Sequence, residues 1–205
     1  EAPRVTAQPT GASKPIGSVV SMSVAATGEN LSYQWREGGI AIAGATDSTL
    51  GVVVKGSAAK YDCEISGSGG SSIVTSAATM SPLASAFDGV STPNADLNAN
   101  GGAMLQCAIT KAGAVTGKIV STAGVSNFKG TLQVSDGKAD IAATASKGEE
   151  VQLSISNDGS TLAGSLMKGG STRSVEMKRS PWTDPDASVL KVAGVYNIAL
   201  EGLDA

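Results

Sequence analysis

The sequence predicts an all-β chain in two parts, an N-terminal β-sandwich followed by an antiparallel small β-barrel or tightly coiled sandwich. Three observations carry that expectation. Apolar residues alternate with polar or small ones in short runs, which is the period of a strand with one buried face. Gly- and Ser-rich turns separate the runs at regular spacing. Aromatics make up only 3% of the chain while glycine reaches 26 residues, so the cores must be built from small and β-branched side chains, which favour strands. A length of 205 residues suits two domains of about 100 residues each. They are expected over 1–82 and 86–205.

Composition also excludes function classes. The formal net charge is −3, and no run of Lys or Arg could track a phosphate backbone, so nucleic acid is not an expected partner. The longest aliphatic run, Val52-Val53-Val54, is far short of the roughly 18 apolar residues of a membrane helix, so no insertion is expected within this chain. Glu1 is not preceded by a charged n-region and apolar h-region, and any export signal is expected to have been removed or to lie upstream. Cys63 and Cys107 fall in different parts and belong to no zinc spacing. Each reads as a small buried hydrophobe, with an interdomain disulfide as the alternative.

In the first part, Val20, Met22, Val24 and Ala26 alternate with Ser21, Ser23 and Ala25 until Gly28. A second strand, Leu31 to Trp35, runs into Gly38-Gly39, a turn pair suited to a tight hairpin towards Ile40 and Ile42. Further strands are expected at Thr49 to Val54, Lys60 to Ser66 and Ile73 to Thr79.

These residues resemble the bacterial immunoglobulin-like domains that occur as strings in large exported proteins. The matching segments are V-T-A-Q-P (Val5 to Pro9), G-S-V-V-S-M-S-V-A-A-T-G (Gly17 to Gly28), L-S-Y-Q-W-R-E-G-G (Leu31 to Gly39), I-A-G-A-T (Ile42 to Thr46) and A-K-Y-D-C (Ala59 to Cys63). The resemblance implies that Trp35 is the core tryptophan and Tyr61 the tyrosine-corner residue, two positions before Cys63. Val24 stands where the cysteine partner of Cys63 would be, so the inter-sheet disulfide is absent.

The second part follows a small, turn-prone join, Ser81 to Ser85. Alternating segments run near Ala103 to Lys111, Val115 to Ser121, Asn127 to Ser135, Lys138 to Ala145, Glu150 to Ser156, Thr161 to Met167 and Ser174 to Arg179. Turn chemistry punctuates them, as at Asp136-Gly137, Lys147-Gly148, Asn157-Asp158-Gly159 and Gly169-Gly170. A meander is the simplest topology. Three strands share an apolar-x-Gly-x-aliphatic pattern, V-T-G-K-I at Val115, F-K-G-T-L at Phe128 and L-A-G-S-L at Leu162. Period two turns Gly117, Gly130 and Gly164 inward, where a missing side chain permits a sharp bend.

This half is similar to the repeated β-modules found beside Ig-like domains in very large exported bacterial proteins. The similarity rests on Gly113 to Ile119, Phe128 to Leu132, Arg179 and the final Gly194 to Leu200. It implies no activity. Phe87-Asp88-Gly89 and Tyr196-Asn197 look like two openings of one repeat, so residues 193–203 either close the barrel, as expected here, or begin a further unit.

Chemistry is sparse. The chain has no histidine, which removes Ser-His-Asp and Cys-His sites. Asp47, Asp136 and Asp158 read as turn residues and Glu149-Glu150 as a solvated pair, so no catalytic residue is assigned and the chain is not expected to be an enzyme. No cofactor is expected. The oxygen clusters Asn94 with Asp96, Asn157-Asp158 and Asp184-Pro185-Asp186 do not reproduce a calcium loop, so no metal is expected either. Trp182, in a Pro-bounded linker, is the one aromatic that could serve as a carbohydrate platform, against the plainer reading of a plug under the linker.

The expected function is therefore a structural or adhesive segment of a larger exported protein, extracellular or at the cell surface. Its partner would be an unidentified protein or polysaccharide. The alternative is a carbohydrate-binding accessory module of a polysaccharide-active enzyme.

Overall fold

The computed structural model describes residues 1–91, 102–135 and 137–180. Within them every regular element but one short 3-10 turn, Ser68–Gly70, is a strand. The first ten strands build an Ig-like sandwich. They are β1 (Arg4–Ala7), β2 (Ala12–Pro15), β3 (Val19–Ser23), β4 (Ala25–Thr27), β5 (Ser32–Glu37), β6 (Ile40–Ala41), β7 (Thr49–Val53), β8 (Ala59–Ser66), β9 (Ser72–Val74) and β10 (Ala78–Leu83). One sheet runs in the order β2-β10-β8-β5-β6, with β9 also on β8; the other layer consists of two ladders, β1-β4 and β3-β7.

The alternating run expected from Val20 to Ala26 is broken at Val24. There the backbone N–H turns aside to Ser48, donating to its carbonyl at 3.0 Å, and β3 and β4 pair with different partners. Val24 itself is buried in the core with Met22, Trp35, Tyr61, Cys63 and Ile65. Trp35 and Cys63 are register partners on β5 and β8. The indole N–H reaches the Asp47 carbonyl at 2.9 Å, so the core tryptophan leaves no buried polar group unpaired.

The remaining eight strands close a barrel in chain order: β11 (Ser85–Ser91), β12 (Met104–Ile109), β13 (Ala114–Ser121), β14 (Gly124–Ser135), β15 (Lys138–Thr144), β16 (Glu150–Ile155), β17 (Thr161–Lys168) and β18 (Ser171–Arg179). The meander is as the turn spacing predicts, and of barrel and coiled sandwich it is the barrel that forms. Closure among the described residues is made by β18 against β11, from Phe87 opposite Arg179 to Ser91 opposite Val175. The strand expected at 193–203 lies outside the described residues. The join expected at Ser81 to Ser85 is not a loop, because β10 continues to Leu83 in parallel register with β2 and β11 starts at Ser85. Only Ala84 separates them.

Close approach explains two of the inward glycines. Gly117 is the register partner of Phe128, and a Cβ at Gly117 would collide with the Phe128 ring. The aromatic ring thus occupies the space that the glycine leaves. At Gly164 a Cβ would collide with the Gln152 carbonyl on the neighbouring strand, so the two backbones approach there only because nothing projects. Gly130 has a looser setting, with 3.4 Å from a Cβ to the nearest atom.

Both cysteines are buried free thiols, Cys63 in the sandwich core and Cys107 in the barrel core. The disulfide alternative is therefore not realised. Burial pushes the Cys107 thiol up to about 12.

Candidate functional site

Three regions are set apart by their residues: the junction between sandwich and barrel, the outer wall of β11 to β14, and the end of the barrel away from the sandwich.

At the junction, the turn between β2 and β3 carries Ile16, which is 2% exposed and belongs to the barrel core, not the sandwich core. Its Cδ1 would lie 3.3 Å from a Cβ at Gly113 and 3.4 Å from one at Gly56. The turn is fastened on the sandwich side, where Gly17 N–H donates to the Val54 carbonyl at 2.8 Å and Val54 N–H to the Ser18 carbonyl at 2.9 Å. On the barrel side Val19 N–H donates to the Asn157 carbonyl at 2.7 Å. Gly17, with φ +88°, leaves room for Ala139, since a Cβ there would stand 2.5 Å from the alanine Cβ. Ile16 thus stoppers the apolar end formed by Ile109, Val115, Leu132, Ala139 and Ile155, all buried. Sequence reasoning missed this residue, because an isoleucine between Pro15 and Gly17 has no strand period to mark it.

On the outer wall, Val90, Met104, Val120 and Val125 are 61%, 60%, 37% and 46% exposed. Each is the register partner of the next, so they form one unbroken apolar row across four hydrogen-bonded strands. One step down each strand on the same face, the row becomes Asp88, Gln106, Lys118 and Asn127, which is polar.

At the far end, alternation carries polar residues into inward positions. Ser121 follows Val115 and Ile119, Glu149 precedes Val151 and Leu153, Lys168 follows Leu162 and Leu166, and Arg173 precedes Val175 and Met177. They line a cavity of 240 Å³ whose floor includes Ala103, Ile119 and Leu166. Glu149 does not belong to a solvated pair as its sequence suggests. Its side chain is only 14% exposed; its carboxylate accepts a hydrogen bond from the Ser126 hydroxyl at 2.7 Å and an ion pair from Lys168 at 3.0 Å. Burial would raise the Glu149 carboxyl, but the hydrogen bonds from Ser126 and Lys168 outweigh it and hold it below the usual carboxylate range. Ser126 is itself buried and accepts the Lys147 N–H at 3.0 Å.

The other residues singled out in sequence fall elsewhere. Trp182, Asn94, Asp96, Asp136, Asp184 and Asp186 lie outside the described residues. Tyr61 is buried, and burial together with the negative charge of Glu37 holds its phenol above the ordinary value. Asp158 closes its own turn, accepting from the Ser156 and Ser160 hydroxyls and the Ser160 N–H, which lowers its carboxyl to about 2. Among the described residues no cluster of three or more acidic, Cys or His side chains could hold a metal ion, and no helix is long and apolar enough to cross a membrane.

No family model matches the chain, and no curated protein sequence matches it. Solved structures do. A titin A168–A169 structure is 12% identical over 87% of this chain and 96% of its own, with a TM-score of 0.36. Extracellular domains 3–5 of Drosophila OTK are 9% identical over 88% and 96%, with a TM-score of 0.34. A Bacteroides ovatus surface glycan-binding protein, SGBP-B, in complex with a mixed-linkage heptasaccharide is 14% identical over 85% of this chain and 60% of its own, with a TM-score of 0.34. At such scores none of them bears on function, and the fold stands on the strands and registers above.

Proposed function

We propose that the chain is a non-catalytic structural segment of a larger exported bacterial protein, a stiff two-domain spacer with a protein-contact face. Its domains would divide at about 82 to 86, each with its own core. The observation that carries this reading is the seating of Ile16 in the barrel core. A linker of one residue, Ala84, combined with a buried side chain passing from one unit into the other, opposes the swivelling that is the default between domains. Burying an isoleucine contributes about 1.5–3 kcal/mol, and parting the units would forfeit it together with the Val19 to Asn157 hydrogen bond. The exposed row Val90, Met104, Val120 and Val125 supplies the contact face. A closed barrel has no free edge to extend by strand pairing, so a partner would engage this wall through side chains.

The test is ¹⁵N relaxation on the whole 205-residue chain. One rotational correlation time shared by sandwich and barrel is expected; two separate times, each that of a roughly 10 kDa body, would sink the spacer reading. Loss of polysaccharide-array binding in a Trp182→Ala variant would replace it with the carbohydrate-binding accessory module.

A further inference from the structure

We infer that the contact face on the outer wall of the barrel is built for a second copy of this chain, paired about a twofold axis that runs along β12. The inference deepens the contact-face reading above and rests on it. Shape, residue pattern and charge carry it.

An eight-stranded wall turns by about 45° from one strand to the next. Two such convex walls touch along one strand and its two neighbours, so three strands are what a pair of barrels can share. The exposed row places its longest side chain, Met104, on the middle strand β12, between Val90 on β11 and Val120 on β13. Methionine adapts to irregular contacts and is enriched at interfaces. Val125 on β14 stands one strand further round, where the wall has already curved away.

A twofold axis along β12 lays that strand on its own copy, and β11 of each chain on β13 of the other. Residues of one row then meet. Val90 faces Val120, Met104 faces Met104, and the two Gln106 amides can each donate and accept. Two residues further along the strands, Ala86 faces Thr116, and both are small.

Charge selects this axis. The polar row carries Asp88 on β11 and Lys118 on β13. Within one chain they stand two strands, or about 10 Å, apart, too far to pair. Asp88 accepts the Gln106 amide at 3.2 Å, and among the described residues neither Asp88 nor Lys118 belongs to an ion pair. The twofold along β12 sets Asp88 of each copy on Lys118 of the other. A twofold across the strands along this row would instead set Asp88 on Asp88 and Lys118 on Lys118, which is repulsive. Apolar on apolar, small on small and acid on base is the pattern that self-pairing requires, and an unrelated partner requires no such symmetry. Each copy contributes about nine residues, against roughly 20–30 a side in a standard interface, so the pair is weak and reversible, with a Kd on the order of 100 µM.

Sedimentation velocity of the intact chain at low salt, from about 1 µM to 1 mM, tests the pairing. The mass is expected to rise with concentration towards twice that of one chain. Met104→Lys sets two cations face to face on the axis, Asp88→Lys sets a cation on Lys118, and Lys118→Asp sets an acid on Asp88. Each should weaken self-association by about tenfold or more. Mixed in equal amounts, the Asp88→Lys and Lys118→Asp chains should pair with each other about as tightly as the parent does with itself, because every facing charge pair is then of opposite sign. Val125→Ser, outside the contact, should stay within about twofold of the parent. Thermal unfolding establishes that each variant is folded. A chain that is monomeric throughout, a folded Met104→Lys protein that associates like the parent, a Val125→Ser loss as large as that of Met104→Lys, or charge-altered chains that stay apart on mixing would overturn the inference. None of these outcomes touches the spacer reading, whose correlation times are measured at dilution, where the chain is a monomer.

Discussion

At the end of the barrel facing the sandwich, Ile109, Val115, Leu132, Ala139 and Ile155 are buried, and an isoleucine from outside the barrel joins them in one core. At the other end the same alternation delivers Ser121, Ser126, Glu149, Lys168 and Arg173 to inward positions above Ile119 and Leu166. A barrel wall leaves two open ends whose side chains cannot be satisfied by strand pairing. The first end is completed by burial, which is non-directional and depends on contact area. The second is held by Ser126 to Glu149 and Lys168 to Glu149 contacts, which are directional and depend on protonation. What differs between the ends is therefore the kind of force that maintains them, and each force answers to a different perturbation.

The largest effect is expected at the stoppered end. Ile16→Ala should cost about 2–5 kcal/mol in denaturant unfolding, and Ile16→Asp more, since a charge would be buried without a partner. Cys107, buried in the barrel core and raised to about 12, is the local reporter. Its labelling by a maleimide should accelerate in Ile16→Ala much more than that of Cys63 in the sandwich. Equal acceleration of both thiols would mean that Ile16 serves the whole chain and not the barrel end.

Midway along the barrel, Phe128→Ala should cost about 3–5 kcal/mol and Gly117→Ala about 1–3 kcal/mol through overpacking. In the Phe128→Ala background the Gly117→Ala penalty should vanish. Additive costs in this double-mutant cycle would show that the glycine is needed for the backbone and not for the ring above it.

At the polar end the expected response is to pH. The Glu149 carboxyl is lower in the folded chain than its ordinary value of 4.5. Its contribution to stability is thus fully present above that value and is lost as pH falls through the lower folded one. Glu149→Gln should therefore flatten the acid limb of Tm against pH, whereas Ile16→Ala should lower the whole curve without changing its acid limb. An unchanged acid limb in Glu149→Gln would remove the distinction between the ends.

The smallest effect is expected beside Ile16. The Ser18 hydroxyl is buried with no hydrogen-bond partner among the described residues, and Gly159 packs against it. Ser18→Ala should raise stability by about 1 kcal/mol in the same unfolding measurement. A loss of stability would mean that the hydroxyl has a bound partner.

Much of the fold was legible because period two is a local property. The strands β12 to β18 fall within a few residues of the alternating segments, and Gly38-Gly39 closes the β5-β6 hairpin with positive φ at both positions. The short strands β1 and β2 and the continuation of β10 through Pro82 were not legible. Four residues such as Ala12–Pro15 become a strand only because β10 lies alongside them. Glu149 illustrates the same limit at the candidate site. Beside Glu150 it reads as one of two solvated acids, yet adjacent residues of a strand point to opposite faces, and only one of the pair enters the barrel.

By itself the sequence determined the all-β class, the meander, the turn positions and the missing Cys partner at Val24, since each is written in neighbouring residues and in the identity of single side chains. Only the tertiary structure decided that the barrel closes by β18 on β11, that Ile16 belongs to the core of the other unit, and that Glu149, Lys168 and Arg173 line one cavity with Ser126 hydrogen-bonded to Glu149. These groupings join residues distant in the chain, and no local period records a distance that exists only after the wall has curved upon itself.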